Sequence, residues 1–293
     1  MELGLYPVRF DEISLEENIH LTAQAGFTFL CARDPAEVEN EVFRTCAEKE
    51  HLWIDNVHLT GAKTNYMWFP GETGDIVMNR FCDEITRCAN CGVKTGIVHV
   101  TWGWELDPKV SDIGLDRFRR IVEHAEKEHF TVTFENSVFP DILYTVLDAT
   151  AGSPASRHCL DTGHWNAFAR NQDLPHKLAD RLSATHVQDN DGKNDLHMIP
   201  FDGCTPFADI ADVLGKMDHL CFEVARHTHH PEWPGMTAEQ IADALKDCPA
   251  IRDPRLCRIE DGRWWCYEDL TPEEYLEHLM DAGKKLLALP GIR

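Results

Sequence analysis

The feature that most constrains this chain is a regular alternation. Eight short apolar runs, at residues 3–8, 28–32, 53–59, 95–101, 131–135, 158–161, 184–187 and 219–224, are separated by longer segments of helical period. Runs of that length read as strands, and the stretches between them carry helix signals. Ser14 with Glu17 reads as a capping box, with Gly26 at the far end. Asp34-Pro35 opens the next helix. Leu115, Phe118, Ile121, Val122 and Ala125 follow i, i+3, i+4, i+7 spacing, and Thr271-Pro272-Glu273-Glu274 starts a last helix reaching about residue 286. Eight strand–helix units predict an α/β chain folded as a single (β/α)8 TIM barrel over residues 1–293. A doubly wound open sheet is the alternative. The glycine-rich phosphate turns that usually mark one, GxGxxG or GxxxxGK(S/T), are absent. One stretch breaks the alternation. Residues 227–269 form a long insertion between the last strand and the last helix, carrying Trp233, Trp264 and Trp265. Thr237 with Gln240 marks a short capped helix inside it. The stretch reads as a lid, a packed surface excursion or an interface between copies of the chain.

Charge narrows the partners. With 28 Lys and Arg against 50 Asp and Glu, the net charge is −22, which repels phosphate backbones and anionic lipid. Neither a nucleic-acid partner nor a membrane is expected. No apolar run approaches the ~20 residues of a bilayer span. The first ten residues lack a signal-peptide pattern. Eleven scattered cysteines suit buried thiols in a reducing compartment rather than a disulfide framework. The expectation is a cytoplasmic protein.

In a barrel the C-terminal ends of the strands face the active site. The last six runs carry His58, His99, Glu135, Asp161, His186 and Glu223 at those ends. Such groups are seldom buried unless paired or bound to a metal. Asp161-Thr-Gly-His164 and Asp195-Leu-His197 bring the candidates to nine. Glu135, Asp161, His186 and Glu223 form an oxygen-rich set with one imidazole, suited to Mn²⁺, Mg²⁺ or Co²⁺, and also to Zn²⁺. His58, His99, His164 and His197 are nitrogen-rich and would favour Zn²⁺. Trp102 and Trp104 can wall a pocket or pack the barrel rim. Lys193 can reach an anionic substrate group or simply be solvated. Cys88-Ala-Asn-Cys91, a lone CxxC at a helix end, reads as structural.

These motifs resemble the xylose-isomerase-like TIM barrels, a superfamily of sugar isomerases, sugar epimerases, inosose-processing enzymes and endonuclease IV. The resemblance rests on Phe134-Glu135-Asn136, Leu160-Asp161-Thr162-Gly163-His164, Thr185-His186-Val187-Gln188-Asp189-Asn190-Asp191-Gly192, Asp195-Leu196-His197 and Phe222-Glu223-Val224. It implies one divalent metal held by Glu135, Asp161, His186 and Glu223, with His164 contacting substrate. In the endonuclease branch all nine positions bind three zinc ions, and this chain has a candidate for each. The charge of −22 favours the sugar branch, as does His99-Val-Thr-Trp102 in place of a His-Pro-Gly segment. So does Asp195-Leu-His197 in place of Asp-Arg-His.

The expected function is that of a metal-dependent isomerase or epimerase of a small carbohydrate. It would move a proton through a metal-stabilised enediolate, with Glu135 and Glu223 as the acid–base pair. The alternatives are a zinc-dependent phosphodiester hydrolase of the endonuclease IV kind, an inosose-dehydratase-like lyase, and a non-catalytic sugar-binding protein. His58, His99, His164, Asp195 and His197 are then substrate contacts or ligands of further metal ions.

Overall fold

The computed structural model describes residues 1–103, 106–226, 237–260 and 263–292. The expectations placed on Trp104 and on Trp233 lie outside the described residues. Eight parallel strands form one sheet: β1 (Glu2–Leu5), β2 (Phe29–Ala32), β3 (Trp53–His58), β4 (Thr95–His99), β5 (Thr131–Glu135), β6 (Ser156–Asp161), β7 (Leu182–His186) and β8 (His219–Phe222). The order is β7-β6-β5-β4-β3-β2-β1-β8. A parallel bridge from Val187 to Phe222 joins the two ends. There the Val187 amide donates to Cys221 O at 2.8 Å, and the Glu223 amide donates to Val187 O at 3.2 Å. The result is the expected α/β barrel.

Helices fill the connections. They include α1 (Leu15–Gln24), α2 (Pro35–Glu39), α3 (Glu41–Lys49), α4 (Glu72–Asn90), α5 (Asp112–Lys127) and α6 (Pro140–Ala149). The start signals operate, although Ser14 with Glu17 makes only the serine half of the expected capping box. Ser14 Oγ accepts from the Glu17 amide, and Asp34 caps α2 through the Glu37 amide. The last helix, Pro272–Leu287, opens on a complete Thr271/Glu274 capping box.

Several strands stop short of their apolar runs. β1 ends at Leu5 rather than residue 8, β4 at His99 rather than 101, and β8 at Phe222 rather than 224. Val8, Val100 and Val224 beyond them are still buried, so the sequence stays apolar after the backbone has left the ladder. The insertion holds more order than expected. Besides a helix at Ala238–Ala244, it contains an antiparallel hairpin, Cys257–Glu260 against Arg263–Cys266, which the apolar pattern did not announce.

Side-chain alternation explains how the barrel builds a site. Successive residues of a strand point to opposite faces. Val132 and Phe134 on β5, Leu160 on β6, and Leu220 and Phe222 on β8 join the main hydrophobic core. The alternate set forms separate small clusters, Ile97–Cys159–Ala184 and Tyr6–Phe29–Cys31–Cys221. His99, Glu135, Asp161, His186 and Glu223 share the parity of this second set. Each therefore lies on the inner face, at the end of its strand or one residue past it. No helix among the described residues is long and apolar enough to cross a membrane.

Candidate metal centre

Strand register sets the first contacts. His99 pairs with Glu135 across β4–β5, and Asp161 with His186 across β6–β7. Glu135 is fully buried among four imidazoles. Its Oε2 lies 2.9 Å from His99 Nε2 and 3.5 Å from His58 Nε2. Its Oε1 lies 3.2 Å from both His164 Nδ1 and His186 Nδ1. His186 Nδ1 is also 3.0 Å from Glu223 Oε2. One ligand atom from each of Glu135, Asp161, His186 and Glu223 lies within 4.8 Å of the others, and His58, His99 and Glu135 form a second such group.

The histidine states follow from their partners. Asn56 Nδ2 donates to Asp55 Oδ2, which orients Asn56 Oδ1 to accept from the Tyr6 hydroxyl at 2.8 Å. The Tyr6 oxygen, 3.0 Å from His186 Nε2, is then free to accept. His186 Nε2 carries a hydrogen and Nδ1 faces the carboxylates; burial opposes protonation of the ring, but the surrounding charges, Glu223 and Glu135 among them, raise its pKa, so without a cation Nδ1 also takes up a proton. A buried lone pair facing carboxylates needs a positive charge between them, from a proton or a cation. Both oxygens of Glu135 and His186 Nδ1 are buried without a hydrogen-bond partner among the described residues. This donor set fits a divalent cation.

His164 and His197 differ, because each presents both ring nitrogens to oxygen acceptors. His164 faces Asn136 O at 2.9 Å and Asp195 Oδ2 at 3.1 Å. His197 faces Glu223 O at 2.9 Å and Asp195 Oδ2 at 3.3 Å. Burial opposes protonation of His197, but Asp195 outweighs it and its pKa rises to about 10. For His164, burial is likewise outweighed by Asp161 and Asp195, so it too holds its proton.

The carboxylates divide. Burial pushes Asp161 up to about 7, helped by the charges of Glu135 and Glu223. Burial also works against ionisation of Glu135 and Glu223. The imidazoles win, holding Glu135 well below the usual range and Glu223 at about 2.

Two cavities open onto this centre. The smaller, about 350 Å³, is lined by His99, Glu135, His164 and Asp195 among others. The larger, about 620 Å³, lies beside it and shares His58, Trp102, His197 and Glu223 as walls. Trp102 is 45% exposed and stands edge-on to His99. Asn65 holds its backbone in both directions, accepting from Trp102 N and donating to Trp102 O, each at 2.8 Å. Gly61 lies beneath the indole, where a Cβ would come within 2.3 Å of the ring. Lys193 is exposed and lines neither cavity.

Sequence reasoning missed Tyr6, Asn56 and Gln188. Gln188 Nε2 donates to Asp195 Oδ1 at 2.8 Å and packs where Gly163 has no side chain. Tyr6 could have been found. It stands just past the end of the first strand with the inward parity, the same place that carries Glu223 on the last strand.

Residues 19–248 match the profile of the xylose isomerase-like TIM barrel family. A curated relative, the uncharacterised protein y4fM of Sinorhizobium fredii (strain NBRC 101917 / NGR234), is 39% identical over 62 residues. That match covers 21% of this chain and only 20% of the relative's length. Among solved structures, D-psicose 3-epimerase from Clostridium cellulolyticum H10 with D-tagatose aligns with a TM-score of 0.66 at 14% identity. The alignment covers 98% of this chain and 99% of that one. The IolI protein with a bound zinc atom aligns with a TM-score of 0.68 at 13% identity, over 98% of both chains. At such identity these likenesses concern the fold. The family match spans most of the chain and includes seven of the eight barrel strands with Glu135, Asp161, His186 and Glu223, and on that ground the chain belongs to the xylose isomerase-like TIM barrel family.

Proposed function

We propose that the chain is a divalent-metal-dependent epimerase or isomerase of a small polyhydroxylated ketone or aldehyde. The observation that carries this reading is the set Glu135, Asp161, His186 and Glu223, with unpartnered buried atoms on Glu135 and His186 facing one another. Similarity in fold to a D-psicose 3-epimerase and to zinc-bound IolI supports it. One cation per chain is expected, Mn²⁺, Mg²⁺, Co²⁺ or Zn²⁺. Bound there, it would polarise a substrate carbonyl and acidify the neighbouring C–H.

The chain's own groups do the rest. Glu135 and Glu223 are both held ionised, so either can take a proton, and the second carboxyl allows its return from another side. Glu223, whose side chain is 22% exposed, lines both cavities and reaches substrate from the open side. Glu135 lies at the floor of the smaller one. His164 and His197 hold protons and can donate to oxygen atoms that gain negative charge. Trp102 offers a face to a sugar ring. Lys193 has no part in this arrangement.

The group His58, His99 and Glu135 favours a second reading, a phosphodiester hydrolase carrying more than one zinc ion. The net charge of −22 weighs against a polyanionic substrate. Elemental analysis of protein prepared without chelator separates the two. About one divalent ion per chain supports the epimerase reading, and about three zinc ions with cleavage of abasic DNA overturns it. Deuterium uptake from D2O into a ketose, beside the carbonyl, tests the chemistry directly.

A further inference from the structure

We infer that the substrate carries an oxyanion, a carboxylate or a phosphate, and that Arg33 and Arg9 receive it in the larger cavity. The inference rests on the epimerase or isomerase reading above and names the substrate class for it.

Arg9 follows β1 and Arg33 follows β2, so both stand at the mouth of the barrel. Both line the 620 Å³ cavity, whose shared walls His58, Trp102, His197 and Glu223 lead to the acid–base pair. A ligand reacting at Glu223 has room to extend there.

The cations on this wall are not equivalent. Arg226 is committed: it pairs with Glu12, donates to the carbonyls of Tyr267, Glu268 and Leu270, and lies over the Phe10 ring. Arg33 is half-buried, and among the described residues its guanidinium donates only to the Pro7 carbonyl. No carboxylate among the described residues lies within ion-pair distance of it. Glu37, four residues on, accepts from the Arg33 backbone amide instead. Arg9 is exposed and has no ion-pair partner among the described residues. Burial disfavours the protonated form of Arg33, and the like charge of Arg9 adds to this, while the charges of Glu37 and Glu223 oppose it only in part. Two guanidinium groups sharing a cavity wall, neither held in an ion pair among the described residues, are suited to an anion even with the Glu37 carboxylate nearby.

The acids of the same wall form no ion pair with them among the described residues. Asp34 caps α2 through the Glu37 amide at 2.9 Å, and Glu223 belongs to the cation set. Asp11 is exposed and forms no ion pair with either arginine. In a chain of net charge −22, an anionic substrate needs such a local source of positive charge.

The test uses the full chain loaded with Mn²⁺ and three matched probes: D-fructose, D-fructose 6-phosphate and D-fructuronate. Calorimetry gives the affinity of each for the wild type, Arg33→Gln and Arg9→Gln. At least one charged probe should bind about tenfold or more tightly than D-fructose, as expected for charge-assisted hydrogen bonds. Which one does so tells phosphate from carboxylate. Each variant should bring that ratio close to one. Arg33 also secures Pro7, so Arg33→Gln risks misfolding, whereas exposed Arg9 does not. A ratio near one in the wild type, or an unchanged ratio in Arg9→Gln and in folded Arg33→Gln, overturns the inference. Deuterium uptake into the same probes from D2O separates the two layers. Uptake with equal affinities overturns the oxyanion subsite and keeps the epimerase reading. Arginine-dependent preference without uptake in any probe does the reverse.

Discussion

His186 Nδ1 stands 3.2 Å from Glu135 Oε1, and both atoms are buried without a hydrogen-bond partner among the described residues. Two groups that close would normally share a proton along a straight line. Here their lone pairs converge on a common point, with Glu223 Oε2 3.0 Å from the same nitrogen. Leaving them so costs free energy unless a positive charge occupies that point.

Removing a ligand should therefore remove the cation. His186→Ala is expected to lower divalent metal from about one per chain to near zero by elemental analysis. The rise in Tm on adding Mn²⁺ or Zn²⁺ should disappear with it, because only the folded wild type binds the ion.

The carboxylate pair should be needed for chemistry more than for folding. Glu223→Gln keeps size and loses basicity, and should cut deuterium uptake from D2O by about 10²-fold or more. Its far-ultraviolet circular dichroism should match the wild type. Undiminished uptake would remove Glu223 from the mechanism.

Tyr6 acts through His186. Tyr6→Phe deletes the oxygen 3.0 Å from His186 Nε2 while keeping the ring that packs edge-on to the imidazole. Metal affinity should fall about 10- to 100-fold, as is usual when the outer partner of a ligating histidine is lost. Competition with a metal-binding dye measures this without turnover.

His158 makes stability depend on pH. Burial keeps it neutral in the folded chain, lowering its pKa to about 4, while its Nδ1 donates to Phe134 O at 3.0 Å. The unfolded chain takes up that proton near pH 6.5. Between those values the unfolded state binds more protons, so stability falls as pH falls. The loss is about 2 kcal/mol at pH 5. In urea unfolding, His158→Gln should lose less stability than the wild type between pH 7.5 and 5. Parallel losses would contradict this.

The tryptophan wall depends on Asn65. Asn65→Ala removes both hydrogen bonds to the Trp102 backbone. The expected result is a KM several-fold higher for a ketose substrate, with metal content unchanged.

The barrel was legible in the chain because its causes are local. Eight apolar runs alternate with capped helices, and parity along each run places Glu135, Asp161, His186 and Glu223 on one side. The ends of the runs were less legible, since Val8, Val100 and Val224 remain buried after the backbone turns away from the ladder. The pairing of Cys257–Glu260 with Arg263–Cys266 was not legible, because each strand is only four residues long and mixes charged with apolar side chains. Tertiary structure alone decided which groups face which: that Asn56 orients Tyr6, that Tyr6 sets the tautomer of His186, that Asp195 bridges His164 and His197, and that Lys193 stays outside while Arg9 and Arg33 share a wall. Periodicity tells which face a residue takes. Distances between residues 50 or 180 positions apart, as for Tyr6 with Asn56 and His186, arise only when the barrel closes and brings all strand ends to one mouth.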